Sequence, residues 1–324
     1  MTLKLEIKPF SFHLLKPIQT SQRVITSKKG WLIKLQDQNN QIGWGEISPF
    51  NFLELNQCEK ILERLGSSLS KASLESQLHK WPGSMGFGFG SALAEINSIV
   101  GSYSTQEWLQ VSSSAILLPT KELELLQTLD SILENQDNDS SKKLTFKWKV
   151  ANDSNAVEAV LLQKILGKLP NNTHLRIDAN GSWTRSKAKE WAQELHLDPR
   201  LEWLEQPLPV EDIEGLQELA EYIPVALDES LMTTPSLRQT WKSWQIRRPL
   251  LEGDPRILLK ELLNKTGYRV ISTSFETGIG RRWIEHLAAL QQKSCTPAQP
   301  GLAPGWLPNS PLFNTNPKTV WEAA

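Results

Sequence analysis

Between Leu144 and Ser230 four short apolar runs, LTFKWKV, HLRIDAN, LEWLEQP and IPVALDES, each close on charged residues and each pass into a helix-patterned segment. That alternation predicts strands joined by helices, the grammar of a parallel sheet. Asp178, Glu205 and Asp228 then stand at strand C-termini, roughly 25 residues apart, about one βα unit of a parallel barrel. Three carboxylates gathered at one rim repel one another unless a cation joins them. An all-oxygen donor set suits Mg2+, with Mn2+ as the alternative, over zinc.

Lys147 and Lys149 lie two apart, so they share one strand face, while Phe146, Trp148 and Val150 make the other face apolar. Both faces of a parallel barrel are covered, which directs the lysines into the barrel mouth beside the acids. A lysine crowded by a second cation and a metal has a lowered pKa and can serve as a base at neutral pH. Glu229 is expected to face away if Asp228 faces in, and so to support the ligands from behind rather than bind the ion itself. Arg248 closes the next run, WQIRRP; a rim arginine is usually an anion clamp or a salt-bridge partner, and here a direct catalytic role is expected, with Arg247 on the structural side. Arg176, two before Asp178 on the same face, either neutralises the acids or contacts substrate. The run Ser272–Gly280 offers hydroxyls, Ser274 among them, and a helix N-terminus; either could hold a carboxylate.

The flanks complete the fold class. Residues 3–12 alternate apolar and polar, 24–35 read as two strands around a Lys28-Lys29-Gly30 turn, and GWGEIS is another strand. Helical patterns follow, with Leu53, Ile61 and Leu65 in one and Ala92, Ala94 and Ile99 in the next. Gly86–Gly90 has the wrong spacing for a nucleotide loop and reads as a flexible helix entry. Beyond residue 114 come a short strand at Ala115–Leu118, a solvated loop at 134–143, and a helix capped by Asp153 or Ser154. The last has a Val157, Leu161, Ile165 stripe and is stopped by Gly167. Thr184 caps a helix with Ala188, Trp191 and Leu195 on one face, and Ile213, Leu216 and Ala220 mark another. Further strands are predicted at 244–251 and 268–274, with a weaker one at 295–298, seven or eight in all; the Pro- and Asn-rich tail packs back on the N-terminal module. The expected architecture is α/β: a modified (β/α) TIM-like barrel (106–302) with an α+β capping domain (1–105) completed by 303–324.

Composition excludes several partners. With 35 basic and 36 acidic side chains the net charge is −1, no electrostatic reason to expect nucleic acid or an anionic membrane. A mean hydropathy of −0.35 describes a soluble protein. Cys58 and Cys295 have no metal or redox spacing, and lysines interrupt every apolar run near the N-terminus, so a reduced, cytoplasmic protein is expected. The five histidines show no ligand spacing, and no Ser-His-Asp arrangement can be argued. Nothing in the sequence indicates an oligomeric state.

In GWGEISPF (43–50), the KxK at 147–149, RIDAN, EQP, DES and the Ser/Thr-rich run before Gly278, the chain resembles the enolase superfamily, and within it the o-succinylbenzoate synthases of menaquinone and phylloquinone synthesis. The resemblance implies a capping domain on a modified barrel, with one Mg2+ held at Asp178, Glu205 and Asp228 and a lysine base beside it. It implies a small-molecule carboxylate substrate, 2-succinyl-6-hydroxy-2,4-cyclohexadiene-1-carboxylate, dehydrated to 2-succinylbenzoate. Lys149 would take the proton α to the carboxylate and return it to the departing hydroxide on the same face, while Lys147 depresses its pKa and contacts the carboxylate. The family usually has lysine where this chain has Arg248. Arginine stays protonated and cannot be the second base a racemase needs, whereas a syn-dehydration needs only one. The alternatives are an N-acylamino-acid racemase or cycloisomerase of the same superfamily, or an inactive barrel kept as a binding protein; Lys149 and the three acids count against the last.

Overall fold

The alternating N-terminal residues build a long antiparallel ribbon. β1 (Thr2–Gln19), β2 (Val24–Gln36) and β3 (Ile42–Ile47) form a meander, edged by β4 (Ser68–Ser70) in the order β3-β2-β1-β4. The computed structural model describes residues 1–19, 24–102, 104, 107–135 and 143–324. The Lys28-Lys29-Gly30 stretch, expected to turn, runs straight through β2, where Lys28 pairs with Phe12 and Gly30 with Phe10. β1 is long enough to keep the ladder going. Gly30 serves close packing instead, since a Cβ there would lie 2.1 Å from the Ile47 carbonyl oxygen.

Three helices follow: α1 (Phe52–Leu62), capped by the Asn51 side chain, α2 (Lys71–Gln77) and α3 (Gly83–Ile96). Leu55, Cys58 and Leu62 form the inner face of α1, and Leu53 is exposed. The Gly86–Gly90 run lies inside α3, not at its entry. A Cβ on Gly43 would stand 1.9 Å from the Ala92 carbonyl oxygen, and one on Gly45 the same distance from that of Gly88. Glycine therefore lets β3 and α3 meet backbone to backbone.

The second half alternates as predicted. β5 (Ile116–Leu117), α4 (Glu122–Glu134), β6 (Thr145–Lys149), α5 (Asn155–Lys168), β7 (His174–Asp178), α6 (Arg185–Leu195), β8 (Leu201–Glu205), α7 (Ile213–Ala220) and β9 (Val225–Leu227) follow in turn. Then come α8 (Glu229–Thr233), α9 (Leu237–Thr240) and β10 (Trp244–Arg247). Of the loop expected at 134–143, residues 136–142 lie outside the described residues. The Thr184 hydroxyl caps α6 by accepting from the Lys187 N–H, and Ala188, Trp191 and Leu195 are buried. In α5 the buried face is Leu161, Leu162 and Ile165, while Val157 is exposed. Gly167 does not stop that helix, because one glycine in a final turn costs only about 1 kcal/mol; Pro170 ends it by barring helical backbone at Leu169.

After β10 come α10 (Pro249–Glu252), α11 (Pro255–Leu263), β11 (Arg269–Ile271), α12 (Gly278–Gln291) and α13 (Pro317–Ala323). The strand expected over 244–251 stops at Arg247, since Pro249 has no N–H for the ladder and starts a helix turn. Residues 295–298 form no strand, and the nearby contact is a single bridge, Ser272 to Gly301. The parallel sheet has seven strands in the order β11-β10-β9-β8-β7-β6-β5. By compactness, residues 1–19, 24–112 and 247–324 form one unit and 113–246 the other. Within the first, the tail does pack back: Leu312 and Val320 join Phe10, Phe12, Leu32 and Trp44, and Trp321 lies 5.6 Å from Trp44. Among the described residues no helix is long and apolar enough to cross a membrane.

Candidate active site

β6 presents its two faces as its alternation requires. Phe146 and Trp148 are buried against the helices, with Trp148 6.0 Å from Trp191, while Lys147 and Lys149 take the opposite face. Parallel register sets Lys149 beside Asp178, and Asp178 beside Glu205. Glu205 in turn pairs with Ala226, two residues before Asp228. The result is a row of charge at the strand ends.

The Lys147 ammonium lies 2.8 Å from Asp178 Oδ2 and 2.5 Å from Glu205 Oε1. Lys149 Nζ stands 3.6 Å from the same Asp178 oxygen and 3.0 Å from Asn180 Oδ1. All three acids are almost wholly buried, at 1% (Asp178), 1% (Glu205) and 4% (Asp228) exposure. Burial would raise Asp178, but Lys147 and Lys149 outweigh it and hold the carboxyl at about 2. Burial pushes Glu205 up against the pull of Lys147, with Asp178 and Asp228 adding to the rise. Lys147 is shifted up: burial opposes its charge, and Asp178, Glu205 and Asp228 more than restore it.

Among the described residues, no three carboxylate, imidazole or thiol groups converge closely enough to hold a metal as they stand. Asp178 and Glu205 are instead bridged by Lys147, whose ammonium is the nearest available counter-charge. The donor chemistry still fits a hard dication, being oxygen only, buried and anionic.

Two residues the sequence reading passed over organise this row. Asn180, at φ +45°, accepts from Lys149, donates its amide to Glu229 Oε1 at 3.0 Å, and gives its backbone N–H to Asp178 Oδ1 at 3.0 Å. Gln206, at φ +36°, accepts the N–H groups of Asp228 and Ser230 and donates to Ser230 Oγ at 2.7 Å. Non-glycine residues with left-handed backbone cluster at functional sites; here Gln206 directly follows the end of β8, and Asn180 lies two residues beyond the end of β7. Their place inside RIDAN and EQP was the available signal. Glu229 does not simply face away. Asp228 is the N-cap residue of α8 and Glu229 its first residue, so strand alternation no longer applies. Arg176 is buried, bonded through Nε to Glu202 at 2.6 Å and stacked 4.0 Å over Trp203.

The other unit carries Arg248 and Ser274. Arg248 Nη1 donates to the Thr273 carbonyl at 2.9 Å, and Arg247 pairs with Glu252 and Glu261. The N-terminus of α12, expected to be open to a carboxylate, is already filled by one. Glu46 Oε2 accepts from Thr277 N–H (2.9 Å), Thr277 Oγ1 (2.6 Å) and Gly280 N–H (3.2 Å). Ser274 Oγ, by contrast, is fully buried and without a hydrogen-bond partner among the described residues.

Residues 6–96 match the MenC N-terminal domain family and 140–244 the enolase C-terminal domain-like family. The chain is 30% identical over 289 residues to the o-succinylbenzoate synthase of Thermosynechococcus vestitus, covering 85% of each. It is 21% identical to the L-Ala-D/L-Glu epimerase of Bacillus subtilis, over 76% of this chain and 70% of that one. The crystal structure of o-succinylbenzoate synthase from Thermosynechococcus elongatus BP-1, complexed with magnesium in the active site, matches with a TM-score of 0.80 and 27% identity, over 99% of this chain and 100% of that one. The fold is the modified (β/α) barrel with an α+β capping module. The chain belongs to the o-succinylbenzoate synthase family of enzymes within the enolase superfamily.

Proposed function

We propose that this protein is an o-succinylbenzoate synthase that dehydrates 2-succinyl-6-hydroxy-2,4-cyclohexadiene-1-carboxylate. The carrying observation is the row at the strand ends: Lys149 Nζ is 3.6 Å from Asp178, beside an acid cluster already neutralised in part by Lys147. In this reading residues 1–105 with 303–324 form the capping domain and 106–302 the catalytic barrel. Asp178, Glu205 and Asp228 hold Mg2+, for which Mn2+ could substitute. The bound ion supplies positive charge to the substrate carboxylate as the α-proton leaves.

The protein's own groups do the rest. Neutral Lys149 Nζ takes the proton α to the carboxylate, and the C–H electron pair spreads into that carboxylate. The pair from the C–H bond then returns to close the aromatic ring as the ring C–O bond breaks, the C–O electrons leave on oxygen, and the departing hydroxide takes the proton from the Lys149 ammonium and leaves as water. One base suffices because proton and hydroxide leave from one face. Lys147 contacts the carboxylate and adds positive charge beside Lys149. Arg248, permanently cationic, and Arg176 and Ser274 are proposed as contacts to the anionic substrate.

Incubation with the diene and Mg2+, followed by the rise of aromatic absorbance, tests the reading. Absence of product overturns it, and proton–deuterium exchange at the stereocentre of an N-acylamino acid would move the assignment to a racemase.

A further inference from the structure

We infer that Lys28 is a positioning residue for Ser274: from strand β2 its ammonium holds the Ser274 carbonyl and so sets where the Ser274 hydroxyl points. The inference rests on the reading of Ser274 as a contact to the substrate's carboxylate.

The segment Thr273–Thr277 lies beyond β11 and makes few ladder bonds of its own. Phe275 sits there at φ +63°, a conformation that persists only when its surroundings over-determine it. The Phe275 ring meets those of Phe50 and Trp306, and the backbone around it is held by buried polar groups. Glu276 accepts from Thr273 Oγ1 and the Ser274 N–H, both at 2.6 Å, and Thr273 Oγ1 accepts the Phe275 N–H at 2.9 Å. Arg248 holds the Thr273 carbonyl, and Glu46 holds Thr277. Lys28 closes the set with a 2.6 Å bond to the Ser274 carbonyl, its Nζ lying 4.3 Å from the Phe50 ring. Every polar group of Ser274 is thereby engaged except Oγ.

A purely structural role fits Lys28 poorly. Its side chain is 3% exposed, and burial pushes its pKa down to about 8 against the opposing pull of Glu276, Glu46 and Glu54. An apolar side chain of similar length would avoid that desolvation. What an apolar chain cannot do is satisfy the Ser274 carbonyl and orient it.

The test compares wild type with Lys28→Met and Lys28→Arg, reading steady-state kinetics on the diene and amide hydrogen exchange across 273–277. Lys28→Met should raise KM by about 10- to 100-fold, the factor a charge-assisted hydrogen bond is worth, with kcat kept within about threefold. Exchange at Phe275 and Thr277 should accelerate by a similar factor, and Lys28→Arg should restore both. A folded Lys28→Met with unchanged KM, unchanged exchange, or kcat lost in step with kcat/KM overturns the inference. Should Lys28→Met not fold, Lys28→Gln is judged by the same criteria. If wild type itself fails to convert the diene, the functional reading has failed, and the exchange rates alone decide whether Lys28 holds the segment.

Discussion

Replacing Lys149 with alanine separates base chemistry from metal binding, and the geometry sets the size of both effects. A positioned general base contributes about 10²–10⁴ in rate, roughly 3–5 kcal/mol of barrier. Lys149 is proposed to act twice, as base and then as acid, so the loss should reach the top of that range. Its ground-state effect on the acids is smaller. At the 3.6 Å separation from Asp178 Oδ2, Coulomb's law gives about 1 kcal/mol at the dielectric of water and about 5 at an effective value of 20. With Lys149 27% exposed but Asp178 only 1%, the pair falls between these limits, and much of the gain is offset by the desolvation of both charges. Lys147, at 2.8 and 2.5 Å, stays in place as the principal counter-charge. Mg2+ should therefore bind Lys149→Ala as well as wild type or up to about tenfold tighter, because a competing cation is gone. Calorimetric titration with Mg2+ and the absorbance assay read the two quantities separately. Turnover within about tenfold of wild type, or a collapse of Mg2+ affinity, would refute the reasoning.

Other consequences can be checked singly. Arg248→Lys should keep or raise dehydration, since either cation supplies charge; complete loss of turnover would contradict the one-base scheme. Gly45→Ala should lower the thermal midpoint sharply, by about 3 kcal/mol or more in stability, because its Cβ would stand 1.9 Å from the Gly88 carbonyl oxygen; an unchanged melt would show that β3 and α3 can separate. The stability of wild type relative to Lys28→Met should rise as pH climbs from about 8 toward 10.5. In that window the unfolded chain binds a proton at Lys28 that the folded chain does not, so unfolding grows costlier with pH, and denaturant melts across the window read the slope.

The positions that local periodicity controls were legible in the sequence. Two-residue alternation placed Lys147 and Lys149 opposite Trp148, the βα spacing placed Asp178 and Glu205 at neighbouring strand ends, and Thr184 announced its helix. Each follows from backbone geometry within one element. What lay across from those elements was not legible. Lys28 looked like a turn lysine because Gly30 follows it closely, yet the ladder to β1 keeps the chain straight and buries the ammonium. Glu46 fills the N-terminus of a helix 231 residues further on, and Lys147 rather than open space lies between Asp178 and Glu205. By itself the sequence determined which faces carry charge and in what order the elements come. Only the tertiary structure decided which charges neutralise one another, because Coulombic and hydrogen-bond partners are chosen by distance in space, and short-range patterns carry no record of that distance.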